Sequence, residues 1–287
     1  MSCRRIALLT LTLPVAMLAA CGEEEPAQER PVVTLPAGPP SEVTAMTTEV
    51  VATYPHDSDA FTQGLLVDSD GRLVETTGHE GESNLRIVDL DSGDVQDSVD
   101  LSDDMFGEGV AQVDDTFVYL SWQNGIATVF DRNTLEQVGT HPYQGEGWGL
   151  CNDGERLVMS NGSAALTFRD PASFDPIGSV DVTLNGAPVF SLNELDCTGN
   201  LVWANVWQTD TIVGIDPTTG KVTSTVDASA LLTPEERSHA DVLNGIAAVP
   251  GKDTFYVTGK DWPKLCAVRF VPAPADSSTP DSSTTPT

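Results

Sequence analysis

Five short, similar stretches recur along this 287-residue chain, and their spacing restricts the folds that it can adopt. They cover residues 61–65, 106–110, 147–150, 192–195 and 243–246. Aligning them places one polar or aromatic residue of each stretch at an equivalent position, namely Gln63, Glu108, Trp148, Asn193 and Asn244. The spacings between these positions are 45, 40, 45 and 51 residues. A repeat of roughly 40–50 residues in a strand-rich chain is typical of a β-propeller with one repeat per blade.

Each stretch is followed by two further apolar runs of strand length, which are rich in Val and Thr and lack a helical period. Four of the third runs end in an acidic turn, which starts at Asp89, Asp131, Asp170 or Asp216. Such turns join the strands of hairpins, and a fourth strand follows each of them. The pattern predicts an all-β fold, a five-bladed β-propeller with four-stranded antiparallel blades.

The two ends of the repeat region suggest how the ring closes. The last repeat ends near Val271 with only three strands, whereas residues 43–54 form a spare strand at the front. With the N-terminal strand as the outer edge of the fifth blade, an open sheet edge would be removed. We therefore expect the N-terminal strand to close the ring. Six blades with one degenerate blade is the alternative, although no sixth motif is visible.

A second alignment indicates which residues share one mouth of the ring. The ends of the second strands fall at Gly78, Trp122, Gly162, Trp207 and Lys260. In an antiparallel meander, the start of the first strand lies beside the end of the second. The two aligned sets should therefore meet, and bring a carboxylate, three indoles, three amides and an ammonium group to one place.

The ends of the chain are interpreted as export and anchoring segments. Residues 1–20 combine Arg4 and Arg5 with an apolar run and small residues, as in a signal peptide. The residues before Cys21 resemble the lipobox of bacterial lipoproteins, which predicts lipidation of Cys21 and attachment to the bacterial cell envelope. An ordinary cleaved signal peptide is the alternative. We expect residues 21–41 to form a disordered tether, 42–271 the catalytic propeller domain and 272–287 a disordered tail.

The charge of the chain limits its partners. The formal net charge is −29, and phosphate binding needs a basic face, so nucleic acid is excluded as a partner. The same charge disfavours contact of the domain with anionic lipid, which leaves the N-terminal lipid as the only expected membrane attachment. A monomer is expected.

Cysteine and histidine residues give no catalytic or metal-binding pattern. Apart from Cys3 and Cys21, three cysteines remain, at 151, 197 and 266, and an odd number excludes a complete disulfide framework. We expect buried thiols at all three, with a disulfide between Cys151 and Cys197 left open. The four histidines fall in expected surface loops without metal-ligand spacing. No cofactor or catalytic metal is expected, and a structural cation in the channel is left open.

Seven motifs resemble the glutamine cyclotransferase family of plants and bacteria, the papaya-latex type of glutaminyl-peptide cyclotransferase. They occur in order at residues 54–65, 106–109, 145–150, 192–195, 204–210, 241–247 and 257–265. The resemblance implies a five-bladed propeller that converts the N-terminal glutamine of peptides or proteins to pyroglutamate and releases ammonia. Carried over motif by motif, the family's active site falls on Phe61, Gln63, Phe106, Glu108, Trp122, Trp148, Asn193, Trp207 and Lys260.

These residues suggest a division of roles. Glu108 and Lys260 are the expected catalytic pair, with Glu108 moving a proton from the attacking α-amine to the departing amide nitrogen. The remaining residues of the set are expected to bind substrate, together with Asn244 from the repeat alignment. Lys260, Asn193 or Gln63 would stabilise the oxyanion, or Lys260 would instead tune Glu108.

Two other functions stay open from the residues alone. A lipid-anchored propeller that only binds peptides or protein partners would have the same fold, because a fold does not determine a function. A calcium-dependent propeller lactonase or esterase would use carboxylates and Asn side chains in the channel, and Glu108, Asn193 and Asn244 fit that pattern in part.

Overall fold

The structure is a computed structural model that describes residues 43–274. The predicted signal peptide, the lipidation site at Cys21 and the predicted tether lie outside the described residues, as do residues 275–287 of the predicted tail. Within residues 43–274, no helix has the length and apolar character that a membrane span requires.

The described chain is almost entirely β-structure, arranged as four-stranded antiparallel units in chain order. The first unit contains β2 (Thr62–Val67), β3 (Leu73–Thr77), β4 (Asn84–Val88) and β5 (Val95–Asp100). The second contains β6 (Gly107–Val113), β7 (Thr116–Ser121), β8 (Ile126–Asp131) and β9 (Gln137–Pro142). The third contains β10 (Leu150–Asn152), β11 (Leu157–Met159), β12 (Ala165–Arg169) and β13 (Pro176–Asp181).

The last two units form one eight-stranded sheet. A small hairpin, β14 (Thr183–Leu184) and β15 (Ala187–Pro188), precedes the fourth unit. The fourth unit contains β16 (Leu192–Thr198), β17 (Leu201–Val206), β18 (Thr211–Ile215) and β19 (Val222–Asp227). The fifth contains β20 (Leu243–Ala248), β21 (Phe255–Gly259), β22 (Lys264–Pro272) and the N-terminal strand β1 (Thr44–Pro55).

Strand β1 joins the two ends of the described chain. It pairs antiparallel with β22 from Met46 to Pro55, and its first residues pair in parallel with β19, where Thr44 lies opposite Ser224. The spare N-terminal strand seen in the sequence thus supplies the fourth strand of the last unit. The parallel pairing with the fourth unit is an addition that the repeat pattern did not predict.

Within residues 43–274, the helical segments are short and lie in the connection between the fourth and fifth units. A 3-10 helix spans Ser229–Leu231, and the single-turn helix α1 spans Pro234–Arg237. Thr233 and Glu236 form a capping box at the start of α1, in which each side chain accepts a hydrogen bond from the other residue's backbone N–H. The cap holds this connection in one conformation.

The hydrophobic core is divided among interfaces between successive units. Apolar clusters join the first unit to the second, the second to the third, the third to the fourth and the fourth to the fifth. A further cluster joins the first unit to the fifth, where Leu65 and Leu73 pack in one group with Ala247 and Leu265. Each unit therefore packs against two neighbours, as in a propeller-like fold.

The cysteines differ in part from the sequence-based expectation. Cys151 and Cys197 form a disulfide between β10 and β16, the pairing that the sequence left open beside buried thiols. Cys266 is a free, buried thiol, as expected. The disulfide links the first strands of the third and fourth units and adds a covalent tie to their apolar interface.

Candidate active site

Nine of the ten predicted catalytic and substrate-binding residues surround one cavity of about 290 Å³. They are Phe61, Gln63, Phe106, Glu108, Trp122, Trp148, Asn193, Trp207 and Lys260. The cavity lies where the first strands of the units begin and the second strands end. The meander argument from the sequence predicted this grouping for seven of the nine, whereas Phe61 and Phe106 were expected from the family resemblance.

Irregular strand pairing explains how the first strands direct side chains toward this cavity. In the first, second, fourth and fifth units the pairing register shifts at the motif, and the residues within the shifts are Gln63, Glu108, Asn193 and Asn244. A bulge of this kind bends the strand and re-aims a side chain that regular alternation would send elsewhere. In these four units the recurring motif therefore coincides with a bulge.

Glycines next to these residues allow neighbouring first strands to approach closely. A Cβ on Gly109 would lie 2.6 Å from the backbone nitrogen of Leu150, and one on Gly149 would lie 2.2 Å from the backbone oxygen of Asn193. Both distances are shorter than atoms can tolerate, so only glycine fits. Close approach of the strands keeps the cavity narrow.

Glu108 is the buried carboxyl group of the cavity. Its residue exposure is 5%, and its Oε1 accepts a hydrogen bond of 3.2 Å from Nε2 of Gln63. Burial raises the pKa of Glu108 well above its usual range, the Lys260 ammonium opposes this effect, and the negative charge of Glu146 adds to it. The side chain therefore holds its proton to higher pH than an ordinary glutamate, which suits a group that accepts and donates a proton near neutrality.

Lys260 is the buried cation of the same cavity. Burial lowers the pKa of this lysine, and the negative charge of Glu108 opposes that effect. The Lys260 Nζ lies 4.3 Å from the centre of the Phe61 ring, within the range of a cation–π contact. The aromatic face and Glu108 together compensate for part of the hydration that the ammonium group loses on burial.

Asn244 occupies a different position from the one predicted. It is fully buried, does not line the cavity, and donates from Nδ2 to Oε1 of Gln63 at 3.3 Å and to the backbone oxygen of Thr62 at 3.0 Å. Gln63 in turn donates to Glu108. Asn244 therefore orients Gln63 from outside the cavity lining. The prediction that Asn244 contacts substrate is corrected to a role in positioning Gln63.

The apolar wall consists of rings that contact each other edge to face. Phe106 lies 6.0 Å from Phe61 and 5.7 Å from Trp122 between ring centres, and Trp148 lies 5.5 Å from Trp207. Such pairs resist rotation of either ring, because each ring fills the space that its neighbour would need. These contacts restrict the movement of the rings in the wall.

Asn193 contributes an unsatisfied acceptor to the cavity. Its side chain is 3% exposed, and its Oδ1 is buried without a hydrogen-bond donor among residues 43–274. Buried polar atoms are normally paired, so an orphan acceptor on a cavity wall is suited to a ligand N–H group.

Two residues near the cavity were not singled out by sequence reasoning. Glu146 accepts hydrogen bonds from both the Trp122 and the Trp148 indoles, at 2.9 and 3.0 Å. His79 contacts Phe61 with the two rings tilted by 43° and their centres 4.2 Å apart. Glu146 directly precedes the recurring stretch 147–150 and lies inside the family motif 145–150, but the repeat alignment used one position per stretch and did not include it.

His56 is buried, so the expectation that all four histidines lie at the surface is wrong for this residue. Its side chain is 3% exposed, its Nε2 lies 2.9 Å from Oε1 of Glu75, and its Nδ1 lies 2.7 Å from the backbone oxygen of Trp262. Burial lowers the pKa of His56, but Glu75 more than offsets this, so the pKa is raised overall. The pair fixes the segment that leads into Phe61.

Among the described residues, no group of three or more His, Cys, Asp or Glu side chains is arranged to hold a metal ion. The side chains that line the cavity supply one carboxyl group, one amine, two amides and five aromatic rings.

The chain is similar to known proteins over most of its length. The sequence matches the family described as glutamine cyclotransferase over residues 15–270. The curated glutaminyl-peptide cyclotransferase of Arabidopsis thaliana is 39% identical over 233 residues, which are 80% of this chain and 73% of that protein. The crystal structure of Myxococcus xanthus glutaminyl cyclase is similar with a TM-score of 0.74 and 36% identity, covering 81% of this chain and 100% of that chain.

Proposed function

The chain belongs to the glutamine cyclotransferase family, and from this premise we propose that it converts N-terminal glutamine of peptides to pyroglutamate with release of ammonia. The observation that carries the proposal is the meeting of Glu108 and Lys260 with three indoles in one small cavity. At about 290 Å³ the cavity is at the lower end of small-molecule sites, which are roughly 300–1,000 Å³. It suits a single amino-acid side chain with its α-amine, and the rest of the peptide would extend outward.

The reaction is intramolecular, so positioning supplies much of the catalysis. The neutral α-amine of glutamine attacks the carbon of its own side-chain amide, and the C–N bond to the amide nitrogen then breaks. Trp122, Trp148 and Trp207 would fold the side chain into the ring-closing conformation by shape. Holding two reacting groups in this way accounts for effective molarities of about 10⁵–10⁸ M in favourable intramolecular reactions.

Glu108 would carry the proton between the two nitrogens. The attacking amine loses one proton as the new C–N bond forms, and the departing amide nitrogen gains one before it leaves as ammonia. A carboxyl group with a raised pKa can accept the first proton and deliver the second without a net change. The enzyme thus returns to its starting protonation state in each turnover.

Lys260 is the group that we assign to the developing oxyanion. Its buried Nζ is a charged donor, whereas the Gln63 amide already donates to Glu108. The orphan Oδ1 of Asn193 would accept a hydrogen bond from a substrate N–H group. A preorganised donor in a water-poor site contributes about 3–4 kcal/mol to the stabilisation of such a transition state.

We also propose that the five four-stranded units are the blades of one closed ring. Apolar clusters between each pair of successive units, including the first and the fifth, support this arrangement. The Glu194 carboxylate, which accepts from the backbone nitrogens of Leu65 and Ile246, supports it as well because it ties three first strands together. An experimental structure with a sixth repeat or an open edge would contradict the proposal.

Export and lipid anchoring are proposed from the sequence of the first 21 residues. Lipidation of Cys21 would tether the enzyme to the cell envelope with the catalytic domain free in solution. Expression of the full chain in a bacterial host with a labelled fatty acid tests this directly. The wild type should carry label and sediment with membranes, and Cys21→Ser should do neither. Unlabelled wild-type protein would contradict the proposal.

The catalytic proposal is tested with the purified protein and a glutaminyl dipeptide. Ammonia release and formation of the pyroglutamyl product should occur at equal rates with and without a chelator. The N-acetylated dipeptide, which lacks a free amine, should not react. Absence of product would contradict the proposal and favour a propeller that only binds peptides. Loss of activity with the chelator would favour metal-dependent hydrolase chemistry.

A further inference from the structure

One carboxylate connects two of the three indoles in the cavity wall. Oε2 of Glu146 accepts from Nε1 of Trp122 at 2.9 Å and from Nε1 of Trp148 at 3.0 Å. Trp122 follows strand β7 of the second unit, and Trp148 precedes strand β10 of the third. The other oxygen of Glu146 accepts from Nε2 of the exposed Gln123 at 2.9 Å. Glu146 therefore bridges two units at the rim of the cavity.

We propose that Glu146 is a positioning residue for the cyclisation, which fixes the indoles of Trp122 and Trp148 in the orientation that shapes the cavity. The inference rests on the proposed function. Glu146 does not line the cavity and was not among the predicted site residues. Its effect on substrate is therefore transmitted through the two indole rings.

The contacts of the two indoles extend this effect to most of the aromatic wall. Trp148 meets Trp207 edge to face at 5.5 Å, and Trp122 meets Phe106 at 5.7 Å. An indole ring can rotate about two side-chain bonds, and hydrogen bonds to a charged acceptor are stronger than neutral ones. Release of both N–H groups from Glu146 would free Trp122 and Trp148 to rotate and would remove the edge contacts that hold Trp207 and Phe106.

The charge of Glu146 supplies a second effect. Burial raises the pKa of Glu146, but hydrogen bonds from Gln123, Trp148 and Trp122 outweigh this and lower it overall, so the side chain is ionised near neutrality. Its negative charge raises the pKa of Glu108, while Lys260 lowers it. The buried Tyr119 and the partly buried Tyr143 also interact electrostatically with Glu108, but both are neutral in this pH range because desolvation raises their pKa values.

Two substitutions of Glu146 separate the two effects. Glu146→Gln removes the charge but keeps an oxygen acceptor, so the acid limb of the kcat/KM profile should move to lower pH with little change in KM. Glu146→Ala removes the charge and both indole contacts, so kcat/KM at the optimum should also fall about tenfold. The control Gln123→Ala removes a bond to the same carboxylate without touching an indole, and should leave both the profile and KM as in the wild type.

Acrylamide quenching of tryptophan fluorescence gives a readout that does not depend on turnover. Glu146→Ala should increase quenching relative to the wild type and Gln123→Ala, with equal unfolding temperatures confirming that the variant is folded. If the wild type cyclises glutamine and Glu146→Ala matches it in quenching, KM and pH profile, the inference is wrong. If the wild type does not cyclise glutamine, the proposed function fails, and quenching alone still decides whether Glu146 fixes the indoles.

Discussion

At the scale of single residues, the site depends on a carboxyl group and an amine that share a buried cavity. Both groups would be strongly hydrated in water. Burial favours the neutral form of each, so it raises the pKa of Glu108 and lowers the pKa of Lys260. The charge of Lys260 lowers the pKa of Glu108, whereas that of Glu146 raises it. The pKa of Glu108 is therefore raised mainly by burial and adjusted in opposite directions by two charged neighbours.

Replacement of Lys260 by methionine tests the first neighbour. Without the ammonium group the pKa of Glu108 rises further, so the acid limb of the kcat/KM profile should move to higher pH, opposite to the shift expected for Glu146→Gln. Loss of the oxyanion donor should also reduce kcat by about 10²–10³-fold. Kinetics across pH measure both effects. The matched control is Lys252→Met, at an exposed lysine outside the cavity. An unshifted profile for Lys260→Met would contradict the claim that Lys260 lowers the pKa of Glu108.

The same scale shows what the sequence could predict of the site. Equivalent positions in a repeat meet around an axis, so Glu108, Trp122 and Lys260 could be grouped from spacing alone. Asn244 obeys the same spacing but its side chain points to Gln63, because spacing places the backbone and does not choose a partner. The buried side chain of His56 is paired with Glu75, a contact that no local pattern of the sequence indicates.

At the scale of elements, irregular pairing in the first strand of most units positions the side chains of the site. Their bulges direct Gln63, Glu108 and Asn193 into the cavity, and their glycines let one strand pack on the next. Apolar runs rich in Val and Thr predict the strands, but such runs do not reveal a bulge at the motif. The sequence therefore indicates the existence of each strand better than the direction of the side chains at its start.

Substitution of Gly149 by alanine tests the close packing of these strands. The new Cβ would lie 2.2 Å from the Asn193 backbone oxygen, so the third and fourth units must move apart. We expect a loss of about 1–3 kcal/mol in the free energy of unfolding, typical of overpacked sites, together with a lower kcat/KM because Asn193 is displaced.

Gly139→Ala in strand β9 is the matched control for this substitution. Its nearest atom, Cβ of Val129, is 3.9 Å from the new Cβ, so stability should stay within about 0.5 kcal/mol of the wild type. Denaturant unfolding measures both variants. Equal stability of the Gly149→Ala and Gly139→Ala proteins would show that the strands are not packed as closely as described.

At the scale of the whole molecule, stability depends on interfaces between units, each of which contributes part of the core. Strand β1 contacts both β19 and β22 and so joins the two ends of the described chain, while the Cys151–Cys197 disulfide ties the third unit to the fourth. The sequence indicated the role of β1 from an unmatched strand. It left the disulfide open, because three cysteines allow several pairings.

Removal of the disulfide should weaken the molecule without altering its chemistry. The bond closes a loop of 46 residues, for which chain entropy gives about 4 kcal/mol of stabilisation. The Cys151→Ala/Cys197→Ala protein should therefore unfold about 10 °C lower. Neither cysteine lines the cavity, so kcat/KM at a temperature where the variant is folded should equal that of the wild type. An unchanged unfolding temperature would contradict this account of the interface.

The most direct test of the central claim is the rate of ammonia release from a glutaminyl dipeptide by Glu108→Gln compared with the wild type. The amide keeps the shape of the side chain but cannot relay a proton, so turnover should fall about 10²–10⁴-fold while the unfolding temperature does not decrease. Glu155→Gln, the same change at an exposed position, should leave turnover unchanged. Wild-type turnover in a folded Glu108→Gln protein would contradict the claim that this buried carboxyl group carries the proton.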